Sequence, residues 1–155
     1  MKRVLSFVLA ILILVLSTSL CALPAEAAET EDIIYFDDGS YAVITMEIEN
    51  SLARTTNSIS GSKSYHYYSS SGILAWVLNI QATFSYDGTN RAQCKDAKAT
   101  VTVYNSNYTV VTKYATFSGN TATATATIKR TTLGVTASEK DYSVTVTCDK
   151  DGNLS

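Results

Sequence analysis

The chain has 155 residues, 12 basic and 14 acidic side chains, a single histidine and a net charge of −2. So mild a balance leaves no electrostatic footprint for nucleic acid or for an anionic membrane surface. Proline occurs once, at Pro24, and threonine is abundant, a composition that favours strands and argues against a flexible proline-rich linker.

The N-terminus has the three parts of a secretory signal. Lys2 and Arg3 form a basic region, Val4 to Leu16 an apolar one, and Ala25-Glu26-Ala27 a small-residue cleavage site. The apolar run of 13 residues falls short of the roughly 20 that cross a bilayer as a helix, so cleavage after Ala27 is expected over an uncleaved anchor. Lipid attachment is disfavoured because Leu20, not a small residue, precedes Cys21. Residues 28–155 then form one secreted domain. Without Lys2, Arg3 and Glu26 the count falls from 12 basic and 14 acidic to 10 and 13, a net charge of −3.

Ile33 to Phe36 reads as a short strand, and Asp37-Asp38-Gly39-Ser40 as a turn. Ala42, Ile44, Met46 and Ile48 then alternate with Tyr41, Thr45, Glu47 and Glu49, a half-buried strand. Asn50 to Gly61 has no period and many turn formers, and reads as a loop. Lys63 to Tyr68 precedes Ser69-Ser70-Ser71-Gly72 and the strand Ile73 to Tyr86, which suggests a hairpin. That second strand carries the only tryptophan. Its even positions, Leu74 to Tyr86, are apolar, and Ile73, Ala75 and Val77 make its first half apolar on both faces, as in a covered, mid-sheet strand. A hairpin loop of two or four residues puts Tyr65 and Tyr67 on the Trp76 face and His66 and Tyr68 on the other; a loop of three would break that parity.

Asp87-Gly88 marks the next turn, and beyond Cys94 the residues Ala97, Ala99, Val101 and Val103 face inward. Thr109 to Phe117 follows as a strand with Val111, Ala115 and Phe117 on one side. In Thr121 to Arg130 alanines alternate strictly with threonines, which favours a strand over low-complexity disorder. Thr131 to Ala137 reads as a continuation or edge strand, and Tyr142, Val144, Val146 and Cys148 form the inward side of the last strand. About seven to nine short strands with turns between them predict an all-β domain, an antiparallel β-sandwich with an open β-barrel as the alternative. Trp76 precedes both remaining cysteines, so the immunoglobulin order, with its tryptophan between them, does not apply.

Cys94 and Cys148 remain after signal removal, and an even pair in a secreted domain is most simply one disulfide. Metal binding has little support, because the mature chain has one histidine and no close cysteine spacing. Asp149-Lys150-Asp151-Gly152-Asn153 resembles the start of a calcium loop but lacks the downstream bidentate glutamate of the helical version, and a plain turn is expected. Any Ser-His-Asp arrangement would run through His66, which sits among tyrosines with no Gly-x-Ser-x-Gly elbow. No catalytic residue and no cofactor is assigned.

Phe36-Asp37-Asp38-Gly39-Ser40-Tyr41, Gly61-Ser62-Lys63, Ala75-Trp76 and Thr83 to Thr89 with Cys94 after it, together with Val103-Tyr104-Asn105-Ser106, Ser118 to Ala124 and the ending Thr147 to Ser155, resemble a family of small secreted proteins of Gram-positive bacteria. That family carries no assigned activity, cofactor or catalytic residue. The resemblance implies secretion and a single β domain with a cysteine pair, and is silent on chemistry.

Tyr65, Tyr67 and Tyr68, with His66 among them, are the residues that suit recognition, since exposed tyrosine offers flat amphipathic contact area. The competing role for Tyr65 and Tyr67 is cross-strand packing in the core. The expected function is a non-enzymatic binding or interaction module for an extracellular carbohydrate, a protein partner or the cell envelope. A secreted, glycosidase-like hydrolase with an acid pair that no residue singles out, or a structural or effector protein, are the alternatives. The expected address is extracellular, released or loosely held at the cell surface.

Overall fold

The computed structural model describes residues 32–49 and 57–155. The signal reading of residues 1–27 and the loop reading of residues 50–56 lie outside them. Eight strands follow one another: β1 (Asp32–Tyr35), β2 (Tyr41–Glu49), β3 (Ser58–Tyr68), β4 (Leu74–Tyr86), β5 (Ala92–Val103), β6 (Tyr108–Ser118), β7 (Thr121–Thr132) and β8 (Val135–Thr147). They form an antiparallel sheet of five in the order β1-β2-β3-β4-β5 and one of three in the order β6-β7-β8. Both sheets are meanders, and neither closes into a barrel. The fold is the expected all-β sandwich.

The period of two explains where the core lies. On β4, Trp76, Leu78, Ile80, Ala82 and Phe84 are at most 2% exposed. Ala122, Ala124, Ala126 and Ile128 of β7, with Val144, Val146 and Cys148 at the end of β8 and just beyond, face them from the second sheet. Small alanine side chains let that sheet lie close over the bulky row of β4, so small residues oppose large ones across the layers. The alternating threonines of β7 point outward and bond across strands, as from Thr123 to Thr145 at 2.9 Å.

Trp76 is the centre of an aromatic stack. Tyr65 and Tyr67 of β3 lie parallel to its ring at 5.5 and 5.1 Å, and Tyr142 of β8 meets it at 4.7 Å, tilted by 59°. Offset and tilted rings at such separations add about 0.5–1.5 kcal/mol per pair beyond the area they bury. Among the described residues the indole N–H has no hydrogen-bond partner.

The β3–β4 connection, Ser69 to Ile73, has an odd length, and Tyr68 pairs with Leu74. A bulge between Tyr67 and Tyr68 then shifts the register so that Tyr67 pairs with Trp76 and Tyr65 with Leu78. The bulge, and not the loop, sends Tyr65 and Tyr67 inward. It also places Leu74 opposite Tyr68 on the outer face, where the simple alternation puts it inside.

Several boundaries differ from the expectation. β3 begins at Ser58, within the predicted loop, because Ile59 pairs with Phe84 and Gly61 with both Ile48 and Ala82. Gly61 is required there: a Cβ would strike the Leu154 side chain and come within 3.0 Å of the Glu47 carbonyl oxygen. β8 starts at Val135, since Leu133 and Gly134 make a two-residue hairpin with φ of 51° and 78°, the doubly left-handed turn whose twist suits paired strands. Val111 falls at a β-bulge and is 47% exposed, and Phe117 on the same edge strand is 52% exposed.

The expected Cys94–Cys148 disulfide is not formed; both are free, buried thiols. Cys94 lies opposite Phe84, and its Sγ donates to the Asp96 carbonyl at 3.3 Å. The Cys148 Sγ donates to the Asp149 carbonyl at 3.4 Å. The pairing was inferred from count and compartment, which carry no geometry. The fold uses each cysteine as a small apolar core residue with a local thiol bond.

Candidate functional site

The outer face of the five-stranded sheet is built from the residues that alternate with the core set. Cross-strand partners share a face, and the register therefore groups them in rows. The first row runs Tyr35, Tyr41, Tyr68 and Leu74 from β1 to β4. The second runs Ile33, Val43, His66, Val77 and Thr102. The third is polar: Thr45, Ser64, Asn79 and Thr100.

In the first row Tyr41 and Tyr68 stack with ring centroids 4.8 Å apart and planes within 6°. Tyr35, 76% exposed, continues the row 6.1 Å from Tyr41. The result is an aromatic ledge open to solvent. Below it His66 Nε2 lies 3.2 Å from the Thr45 hydroxyl, and the Asn79 amide donates to Ser64 Oγ at 2.8 Å. Of the apolar positions expected to be covered on both faces, Ala75 is fully buried at the bulge and Val77 is half-buried, while Ile73, just before β4, is 59% exposed and half-buried Leu74 joins the ledge; β4 is mid-sheet, as expected.

Of the four residues singled out in the sequence, the structure brings Tyr68 and His66 together on this face. Tyr65 and Tyr67, each 6% exposed, lie on the opposite one as the walls of the Trp76 stack. Sequence reasoning missed Tyr35 and Tyr41, whose signal was present as tyrosines on either side of the Asp-Asp-Gly turn, each alternating with inward residues.

The same end of the sandwich holds a cavity of about 270 Å³ on the inner side, lined by the Phe36–Ser40 turn, Tyr67, Lys140 and Tyr142. The turn closes with Phe36 N–H donating to the Ser40 carbonyl at 2.9 Å and Gly39 at φ 79°. Asp38 Oδ1 accepts from the Ser40 N–H at 3.0 Å and from the Ser40 hydroxyl. Ser40, buried, in turn accepts from the Tyr67 hydroxyl at 2.9 Å. These bonds from Ser40 hold the Asp38 carboxyl below its usual range, and Arg130 and Lys140 add to the effect. Burial raises the Tyr142 phenol to about 12, so its ring stays neutral.

The Asp149 loop uses its carboxylate internally. Asp149 Oδ1 accepts from the backbone N–H groups of Asp151 and Asn153 at 2.9 and 2.8 Å, and Oδ2 from the Asn153 amide at 2.7 Å. It is a turn whose side-chain oxygens serve its own backbone, and among the described residues no group of three acidic, histidine or cysteine side chains is arranged to hold a metal. No family model, curated protein or solved structure matches the chain. The functional reading therefore rests on these two surfaces.

Proposed function

We propose that the domain is a non-enzymatic extracellular binding module, and that the Tyr35, Tyr41 and Tyr68 ledge with His66 is its contact surface for a glycan chain. The observation that carries this reading is the parallel, stacked Tyr41–Tyr68 pair, continued in one row by the exposed, tilted ring of Tyr35. Apolar faces of sugar rings pack against the open sides of such a row, and the hydroxyl and amide row of Thr45, Ser64 and Asn79 lies beside it for directional bonds. A row of tyrosines across three strands suits an extended chain more than a compact ligand. The binding reading is preferred to a hydrolase because the two carboxylates lining the cavity, Asp37 and Asp38, are neighbours on one turn and share the cavity with Lys140, and so do not oppose each other across a cleft.

The test is a screen of the purified domain against soluble glycans and cell-envelope fractions, with the best ligand repeated on Tyr68→Ala and His66→Ala. Tyr68→Ala is expected to weaken binding by about tenfold, or about 1.4 kcal/mol, with the fold retained. Unchanged binding in both variants moves the site elsewhere, and turnover of the ligand overturns the non-enzymatic reading.

A further inference from the structure

A second site is written into the mouth of the sandwich, independent of the outer ledge. Its two walls carry opposite charge. The β1–β2 turn supplies Asp37 and Asp38. The three-stranded sheet supplies Lys140, which pairs with core-facing Ile128 and so occupies an inward register position on β8; Arg130 is outside the lining, and its charge acts on Asp38 from there. Among the described residues no ion pair within 4.0 Å joins Asp37 or Asp38 to Lys140 or Arg130. Between the walls lie aromatic rings, with Phe36 tilted over Tyr67 at 5.8 Å and Tyr67 against Tyr142 at 5.9 Å.

We propose that this cavity binds a small zwitterion, an alkylammonium group joined through a few carbons to a carboxylate or phosphate. The ammonium end faces Asp37 and the free oxygen of Asp38 across the rings of Phe36 and Tyr67, where carboxylate attraction and cation–π contact act together. The anionic end reaches Lys140, with Arg130 reinforcing the field behind it. A lone cation leaves Lys140 without a counter-charge, and a lone anion is opposed by the two aspartates. A neutral ligand displaces water from both charged walls without replacing it by a counter-charge, which costs free energy. Only a ligand with separated charges satisfies both walls of a cavity this size, and its axis is fixed by them. The network from Tyr67 through Ser40 to Asp38 holds the acidic wall in place before the ligand arrives, which lowers the ordering cost of binding.

The experiment is an amide chemical-shift titration of the labelled domain with phosphocholine and glycine betaine. Tetramethylammonium, acetate and methyl glucoside are the single-charge and neutral controls. Phosphocholine or glycine betaine is expected to shift the amides of Phe36, Ser40 and Tyr142 and to bind at least about tenfold more tightly than any control. Asp37→Asn and Lys140→Ala, both at exposed positions, are each expected to weaken that binding by about tenfold while leaving the thermal midpoint and the Tyr68-dependent glycan binding unchanged. Three results overturn the proposal: no shift at those amides at millimolar zwitterion, a control that binds as tightly as the zwitterions, or zwitterion affinity indifferent to both substitutions.

Discussion

Trp76→Phe separates two opposing terms at the centre of the fold. The indole is fully buried, stacked against Tyr65 and Tyr67, and its N–H has no partner among the described residues. Trimming it to a phenyl ring removes apolar area worth about 1 kcal/mol and leaves a void that costs about 1 kcal/mol more. It also removes a buried, unpaired donor whose desolvation costs about 1–3 kcal/mol. The terms nearly cancel, and the variant is expected to lie within about 1 kcal/mol of the parent. Trp76→Ala keeps the relief but loses the whole stack, and is expected to cost about 3–5 kcal/mol, a large part of the about 5–15 kcal/mol that holds a domain together. Urea unfolding followed by far-ultraviolet circular dichroism reads both, because the tryptophan signal is absent from the variants; an unchanged slope confirms that the midpoints report stability. A loss above about 3 kcal/mol for Trp76→Phe would mean that the N–H is satisfied in solution, and the argument would fail.

Three further outcomes follow from the same packing. Burial raises the Cys94 thiol, and burial followed by the charges of Asp149 and Cys94 raises that of Cys148 to about 11; both cysteines should resist thiol reagents at neutral pH until denaturant is added, and a disulfide in non-reducing mass spectrometry would refute the free-thiol assignment. Burial lifts the phenols of Tyr142, to about 12, and of Tyr65 above the ordinary value of 10.0, so the folded state favours their neutral forms and the stability gained is complete below pH 10 and lost as pH rises toward 12. Phenolate absorbance should therefore show these two tyrosines ionising with unfolding, and simultaneous titration of all 10 near their ordinary value in an intact fold would contradict it. Gly152→Ala combines a φ of 84° with a Cβ within 2.6 Å of the Tyr86 ring, strain of about 1–2 kcal/mol from the backbone and about 1–3 kcal/mol from crowding; a lowered thermal midpoint with faster amide exchange at Thr147 and Ser155 is expected, and an unchanged midpoint would refute the close packing of that turn.

Alternation made the sandwich legible: β2, β7 and β4 from Trp76 to Phe84 carry regular inward rows, and their faces follow from sequence alone. Where alternation weakens, the reading weakened with it. Gly61 and its serine neighbours resemble a loop because their strand role depends on Leu154 packing where a Cβ would stand, a contact across more than half the chain. The first half of β8 is exposed on an edge and carries no apolar rhythm. The cysteines illustrate the opposite error, in which a sound compositional rule was applied without a distance.

The two faces of β3 reveal how a functional surface depends on one residue of register. A five-residue connection without the bulge would pair His66 with Trp76 and turn Tyr65 and Tyr67 to solvent, emptying the stack and dismantling the ledge together. The extra residue at Ala75, fully buried, rescues both by shifting the pairing after Tyr68. The outer ledge and the inner aromatic wall are therefore products of the same irregularity. The cavity is less visible still from sequence: its acidic wall comes from residues 37 and 38 and its basic wall from residue 140, which meet only when the two sheets pack. Lys140 was the available clue, a charge at an inward position two residues before Tyr142. An inward lysine on an edge strand also deters edge-to-edge pairing. The predicted loss of zwitterion binding in Lys140→Ala distinguishes the two roles, since a purely protective lysine would change the variant's aggregation and leave the titration untouched.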